Sequence, residues 1–214
     1  IGALNQYSFS LDNAIAELEK AGFTLDKDGK PYKSGLRYKK LEDGKLMPLV
    51  INWCSSENNP VSDLLATKLA NSEDVKKAGM EIKQNVVTFN ELIENYGQTK
   101  KNDYNMYNMG VGFNAIYNPE FSYAIGNPQN SNRISDKELA KLAKNLNVVD
   151  PSNEKEYLDR YVKFQQKWNE LLPDLPLYSN QYHDFFNKKL KGYEGIKDAI
   201  WDITSQINYC WVQE

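Results

Sequence analysis

The residue types with chemical reach are few. His183 is the only histidine of the chain and stands beside Asp184, a pair that acid–base or nucleophilic catalysis could use. No nucleophile motif accompanies it. The sequence holds no G-x-S-x-G, no P-loop, no H-E-x-x-H and no dinucleotide-binding glycine fingerprint, so the pair reads as a surface or structural feature. Cys54 and Cys210 are the only thiols, 156 positions apart, a spacing that signals neither a redox nor a metal motif. They are expected to be unpaired or inert, with pairing open to them only in an oxidising compartment. One His and two Cys are too little for a zinc or iron–sulfur site, and no metal or other cofactor is expected. Asp26-Lys27-Asp28-Gly29 faintly echoes a calcium loop but lacks the spaced carboxylates and closing Glu, which leaves a turn. The remaining Asp and Glu pairs read as solvated helix faces and caps. Chemistry on a substrate is therefore not expected.

Composition narrows the class further. The 214 residues are 41% hydrophobic and 26% charged, enough for a sizeable core in one large domain or two small ones. Mean hydropathy is −0.67, and no apolar run approaches the ~20 residues of a membrane span. Lys and Arg number 26 against 29 Asp and Glu, for a net charge of −3. A nucleic-acid partner, which needs a basic stripe, is not expected. The chain opens Ile-Gly-Ala-Leu, with neither Met nor a signal peptide, and reads as an excised piece of something longer.

The elements that must position any site follow from periodicity and caps. Ser10 is placed to cap a first helix whose apolar face is Ala14, Ile15, Leu18 and Ala21, with Gly22 as its stop. Asp28-Gly29 and Asp43-Gly44 are turn signals on either side of an extended segment. Residues 46–53 read as one buried strand ending in Trp53, pushed toward an edge or a strand start by Pro48. A second helix after Asn59-Pro60 carries Val61, Leu64, Leu65, Leu69 and Val75 and closes at Gly79. Met80, Ile82, Gln84 and Val86 alternate with polar residues as a half-buried strand. Thr88-Phe89-Asn90-Glu91 is a capping box opening a helix to Tyr96-Gly97. Residues 103–111 suggest another strand and 112–132 a loop. Ser135-Asp136-Lys137-Glu138 reads as a second capping box, and Asp150-Pro151 as the start of a long helix. Its stripe of Tyr157, Tyr161, Phe164, Trp168, Leu171 and Leu172 is core by spacing. Pro173 and Pro176 end it before a short strand at 175–178. Strands and helices alternate, so the class is α/β.

Four segments in this order carry a resemblance. They are Asp12-Asn13-Ala14-Ile15-Ala16-Glu17-Leu18-Glu19-Lys20-Ala21-Gly22-Phe23 with its two Asp-Gly turns, Val75-Lys76-Lys77-Ala78-Gly79-Met80-Glu81-Ile82, and Asp103-Tyr104-Asn105-Met106-Tyr107-Asn108-Met109-Gly110 followed by Asn118-Pro119. The last runs from Tyr157 through Leu172-Pro173-Asp174-Leu175-Pro176-Leu177-Tyr178 to Leu190-Lys191-Gly192-Tyr193. Over nearly the whole chain this order resembles the C-terminal part of the extracellular solute-binding proteins of the oligopeptide and dipeptide type, bacterial family 5. The resemblance implies a periplasmic-binding-protein-like lobe with a mixed sheet flanked by helices. Residues 1–185 would be the C-terminal lobe of a two-lobed receptor, and 186–214 the tail that returns to an N-terminal lobe outside this chain. It implies a substrate-binding component of an ABC importer that hands a peptide or other small solute to a membrane permease and performs no catalysis. The parent would sit on the outer face of the cell membrane, held by a lipid anchor upstream, or in the periplasm.

Carried over residue by residue, the resemblance places Phe89 where an aromatic lines the cleft. Gly110, Gly112, Phe113 and Asn114 fall in the loop beside the ligand backbone, and Tyr193 near the crossover between lobes. Trp53 ends the expected strand and faces either the cleft or the core. Peptide-binding relatives carry an Asp in the 110–114 loop for the ligand's free amino terminus; here the match is Asn114 or Ala115, and neither supplies a counter-charge. Nickel-chelate or oligosaccharide receptors of the same fold are the nearest alternatives. A small α/β hydrolase and an interaction module without a small ligand are alternatives of other classes.

Overall fold

The computed structural model describes residues 2, 4–97, 99, 103–112, 118–150, 152–179, 183, 185–193 and 208–213. The chain divides into two compact units, Gln6–Met109 and Gly110–Glu214, the latter joined by Ile1–Asn5.

In the first unit, helix α1 (Leu11–Lys20) starts where the Ser10 hydroxyl accepts the Asn13 amide. It ends in a Schellman motif. Gly22 takes φ 89°, its amide bonds Glu19 O, and the Phe23 amide reaches Leu18 O. Strands β1 (Tyr38–Lys40) and β2 (Leu46–Pro48) form an antiparallel ribbon around the Asp43-Gly44 turn. The segment expected as one strand is thus two. Pro48 is the last paired residue of β2, and after Leu49 the chain enters a different sheet as β3 (Val50–Ser56). Trp53 lies in the middle of β3 rather than at its end.

Helix α2 (Pro60–Leu65), capped by Asn59, passes into a π-helical stretch, Ala66–Ala70, and then α3 (Glu73–Lys77), capped by Ser72. The continuous helix that the apolar spacing suggested is broken into three pieces, because Ser72 caps a fresh start within its span. Gly79 closes α3 with a second Schellman motif at φ 78°. Strand β4 (Glu81–Val87) pairs in parallel with β3 from Val50↔Glu81 to Ser56↔Val87. Helix α4 (Phe89–Tyr96) opens on the expected capping box, in which the Thr88 amide donates to Glu91 Oε2 and the Glu91 amide to Thr88 Oγ1. Strand β5 (Met106–Tyr107) is far shorter than 103–111 and pairs in parallel with β3 on its other edge, giving the order β4-β3-β5.

Arg37 ties this unit together. Only 4% of it is exposed. Its Nε donates to Ala78 O at 2.9 Å and its NH1 to Phe23 O at 3.0 Å, so one guanidinium caps the ends of both α3 and α1. Tyr32 lies against its face at 3.9 Å, and Glu19 is 3.3 Å from NH1. A Cβ at Gly79 would stand 2.6 Å from Arg37 Cγ, so that close approach requires glycine as much as the positive φ does.

The described part of the second unit is mostly helical. Helix α5 (Pro119–Tyr123), capped by Asn118, lies where a loop was expected; the Asn-Pro pair that reads as a turn is a cap followed by N1 proline. Helix α6 (Lys137–Asn145) is capped by Asp136, one residue after the Ser expected to do so. Helix α7 (Glu154–Leu171) is capped by Asn153, while Asp150 instead accepts the Ser152 amide and hydroxyl; Pro151 lies outside the described residues. The core is Tyr123, Leu139, Ala143, Leu146 and Phe164, with Tyr157, Tyr161, Trp168 and Leu171 packed against it, the stripe that the helical spacing singled out. Trp168 Nε1 donates to Tyr123 Oη at 2.7 Å, which satisfies the one polar atom of the indole. Leu172 takes φ 45° and Pro173 follows, stopping α7. No strand forms at 175–178. Strands β6 (Leu190–Lys191) and β7 (Trp211–Val212) pair antiparallel. Among the described residues, no helix is long and apolar enough to cross a membrane.

Candidate functional site

In an open parallel sheet the loops that can hold a ligand lie beyond the carboxyl ends of the strands, where successive helices start. Here those ends are Ser56, Val87 and Tyr107. Beyond Ser56, Asn58 takes φ 54°, unusual for a residue with a side chain, and Asn59 caps α2 while its Nδ2 donates to Ser56 Oγ. Beyond Val87, the capping box fixes the first turn of α4. Phe89 is the first residue of that turn and leaves 61% of itself in solvent. Beyond Tyr107, Asn108 accepts Trp53 Nε1–H at 3.0 Å.

Alternate residues of the sheet face opposite sides. Asn52, Cys54 and Ser56 of β3 share a face with Lys83, Asn85 and Val87 of β4. Between α4 and the 103–104 segment this face opens into a cleft of about 460 Å³ lined by Asn52, Asn85, Val87, Glu91, Asn95, Asp103 and Tyr104. The two asparagines on the strands, of the three in the lining, spend amide donors on the protein itself: Asn52 Nδ2 on Asp103 O, and Asn85 Nδ2 on Trp53 O and Lys83 O. Among the described residues, the cleft lining carries no cationic side chain. Cys54 exposes nothing to solvent. Burial pushes its thiol up, the Glu91 charge adds to that, and a bond with Asn95 opposes it. Cys54 is thus a small apolar residue here, not a nucleophile. Asp26 accepts the Lys30 and Asp28 amides, the first of which holds its carboxyl below the usual range; the calcium-loop echo is a turn.

The residues singled out from the sequence fall as follows. Phe89 is exposed at the carboxyl edge of the sheet. Trp53 is fully buried in the first unit, so of its two readings the core one holds: the indole has no surface to offer a solute. Gly110 and Gly112 are exposed and begin the second unit. Tyr193, also in the second unit, is half-buried and packs against Phe186 with ring centroids 4.7 Å apart. It follows Gly192 at φ 77°, where a Cβ would collide with Tyr209 O and the Trp211 ring. Phe113, Asn114 and Ala115 lie outside the described residues, as does Asp184; His183 is exposed. Sequence reasoning missed Asn108, Asn52 and Asn85. The available signal was a polar Asn inside the apolar run Leu49-Val50-Ile51-Asn52-Trp53, a residue that a buried strand tolerates only with partners.

No model of a known protein family matches the chain, and no curated protein matches it. Solved structures do. The oligopeptide-binding protein AppA from Bacillus subtilis, in complex with a nonapeptide, superposes with a TM-score of 0.68 at 21% identity, over 99% of this chain and 39% of that one. The architecture is that of a periplasmic-binding-protein-like lobe. The oligopeptide-binding protein from Thermus thermophilus, complexed with a pentapeptide, matches with a TM-score of 0.66 at 21% identity, over 82% of this chain and 30% of that one. NikZ from Campylobacter jejuni, in complex with Ni(L-His), matches with a TM-score of 0.54 at 16% identity, over 79% of this chain and 32% of that one. The chain therefore spans about two fifths or less of the length of these structures.

Proposed function

We propose that this chain is the C-terminal lobe of a two-lobed solute receptor, the substrate-binding component of an ABC importer, and that it holds half of an oligopeptide-binding cleft. One observation carries the reading. A parallel sheet, on a fold shared with peptide-bound receptors, presents at its carboxyl edge an aromatic that is rigidly mounted yet unburied. An exposed phenyl at the first position of a capped helix contributes little to folding, whereas it offers apolar area to a bound solute. In this reading 1–185 belong to the C-terminal lobe and 186–214 to the tail that joins the N-terminal lobe of the same parent. The 110–114 loop runs beside the ligand backbone, and Tyr193 stands near the crossover. The parent works outside the cytoplasmic membrane, lipid-anchored or periplasmic, and delivers its cargo to a membrane permease without catalysis. Asn114 or Ala115 in place of a carboxylate weakens selection for a free amino terminus, which favours tolerance of modified peptides.

The test is a thermal-shift screen of the longer protein that carries this sequence, against peptide pools, nickel–histidine and oligosaccharides. A ligand at 100 times its Kd stabilises the folded state by about 2.7 kcal/mol. Stabilisation by peptides is the expected result. A response to nickel–histidine or sugars alone removes the peptide assignment. The 214-residue chain by itself, with half a cleft, should show little or no shift.

A further inference from the structure

The cleft between α4 and the 103–104 segment lies wholly within the first unit, and its strand asparagines are oriented by their partners. Asn85 Nδ2 stands 3.3 Å from Trp53 O and 3.0 Å from Lys83 O, and Asn52 Nδ2 stands 3.3 Å from Asp103 O. A carbonyl oxygen only accepts, so the atom facing it in each side chain is the nitrogen, and both carboxamides are fixed the same way round. Their oxygens are left over. Among the described residues nothing donates to Asn52 Oδ1, to Asn85 Oδ1 or to the Asp103 carboxylate. Glu91 brings a second carboxylate to the lining. Its Oε2 accepts the Thr88 amide and hydroxyl, and its charge is felt at Cys54, whose thiol it helps push up. Lys83 stands opposite Asn52 in the ladder but is outside the lining, 3.7 Å from Glu81 Oε2. Val87 and the half-buried Tyr104 ring, edge-on to Tyr107 at 6.3 Å, supply the apolar part of the wall.

We infer that this cleft binds an alkyl-guanidinium or alkyl-ammonium group, held by Asn52 Oδ1, Asn85 Oδ1 and the Asp103 carboxylate. Such a cation is all donor: five N–H in a guanidinium, three in an ammonium, and no acceptor. The strand asparagines offer the reverse, oxygens whose own amide donors are already spent. A neutral amide or hydroxyl would bring an acceptor as well, for which those two residues keep nothing, and an anion would meet two carboxylates. Bonds from a cation to a carboxylate are roughly twice as strong as neutral ones. The alkyl stem of such a group lies along apolar surface while its head stays polar, which suits Val87 and Tyr104 beside the oxygens. About 460 Å³ is ample room for head and stem. The inference goes beyond the proposed function and stands without it, because every group it uses belongs to the first unit and none to the carboxyl-edge aromatic.

The test is a ¹H–¹⁵N chemical-shift titration of the 214-residue chain with butylguanidinium chloride. Butylurea, its neutral counterpart in shape, and sodium and calcium chloride at matched ionic strength run beside it. The expected result is a set of saturable shifts at the side-chain amides of Asn52 and Asn85 and the backbone amide of Asp103, with a Kd of about 1 mM, and none with butylurea. Asp103→Asn keeps the shape of an exposed side chain and should weaken binding about tenfold. Glu91→Gln keeps an oxygen for the Thr88 amide, so the capping box survives, and should weaken binding about threefold. Urea midpoints of both variants should match that of the unmodified chain. A blocked tripeptide, acetyl-Gly-Arg-Gly-amide, separates the sources: tighter binding than butylguanidinium assigns the cleft to a polypeptide side chain, and equal binding assigns it to free small cations. Shifts that never saturate, or that either salt reproduces, overturn the inference, as does an affinity unchanged in Asp103→Asn. Lys100 and Lys101, outside the described residues, are controlled by replacing both with Gln. Unchanged affinity supports an open site, and a tenfold gain shows that the chain's own lysines hold the oxygens and overturns it.

Discussion

Replacing Phe89 by Ala separates binding from folding. A Phe side chain offers roughly 200 Å², and 61% of Phe89 is exposed, so about 120 Å² is open to a ligand. At ~25 cal/mol per Å² this is a ceiling of about 3 kcal/mol if a bound solute covers all of it. Coverage of half of it by a solute bound at the proposed face amounts to about 1.5 kcal/mol, a tenfold change in Kd. The folding side is small. The buried remainder is about 80 Å², and the Ala Cβ and the compactness of the unfolded chain reduce its worth to about 1 kcal/mol. The capping box is untouched, because Thr88 and Glu91 supply both of its bonds. Calorimetric titration of the longer protein with a peptide that stabilises it should show Kd raised about tenfold for Phe89→Ala. Urea unfolding of the same variant should show a loss near 1 kcal/mol. Affinity within a factor of two of the unmodified protein, with the fold intact, would refute the assignment of the carboxyl edge as the binding face.

Two further predictions test the scaffold. Arg37→Met keeps the apolar stem but leaves Phe23 O and Ala78 O without their charged donor. Two such bonds are worth about 1.5–3 kcal/mol each, offset by the relief of burying a charge. The net loss should be about 2–4 kcal/mol, read from hydrogen exchange of the β3 and β4 amides; a loss under about 1 kcal/mol would mean the guanidinium is not the tie between α1 and α3. Cys54 should resist alkylation in the native state while the half-buried Cys210 reacts first. Its folded thiol lies above the usual value of 9.0, so its contribution to stability is present below pH 9 and is lost as pH rises through the folded value. The urea midpoint of the unmodified protein should therefore fall above pH 9 more steeply than that of Cys54→Ala, and parallel curves would show that the thiol is not perturbed.

Local chemistry was legible wherever a short stretch satisfies itself. Ser10 and Gly22 bound α1, Thr88 and Glu91 open α4, and the apolar stripe of α7 packs as its spacing implies; each rests on contacts within a few residues, which a sequence displays directly. What failed were decisions between two locally acceptable outcomes. Residues 46–53 carry enough β-branched and apolar residues for one strand, yet the chain leaves one sheet at Pro48 and joins another at Val50, because Arg37 O takes the Leu49 amide. That partner is distant in the chain and invisible to periodicity. The α2–α3 span kept a helical rhythm, but a cap at Ser72 restarted it.

The site shows the same division. The sequence by itself determined that Phe89 begins a capped helix, since caps are local; it carried a strand through Gly110, whereas β5 stops at Tyr107. Only the tertiary structure decided that Phe89 stays exposed while Trp53, equally aromatic and nearby in the pattern, is sealed in the core with its N–H on Asn108. Exposure is a property of what the rest of the chain covers. It depends on contacts between residues tens of positions apart, and no short-range pattern encodes it.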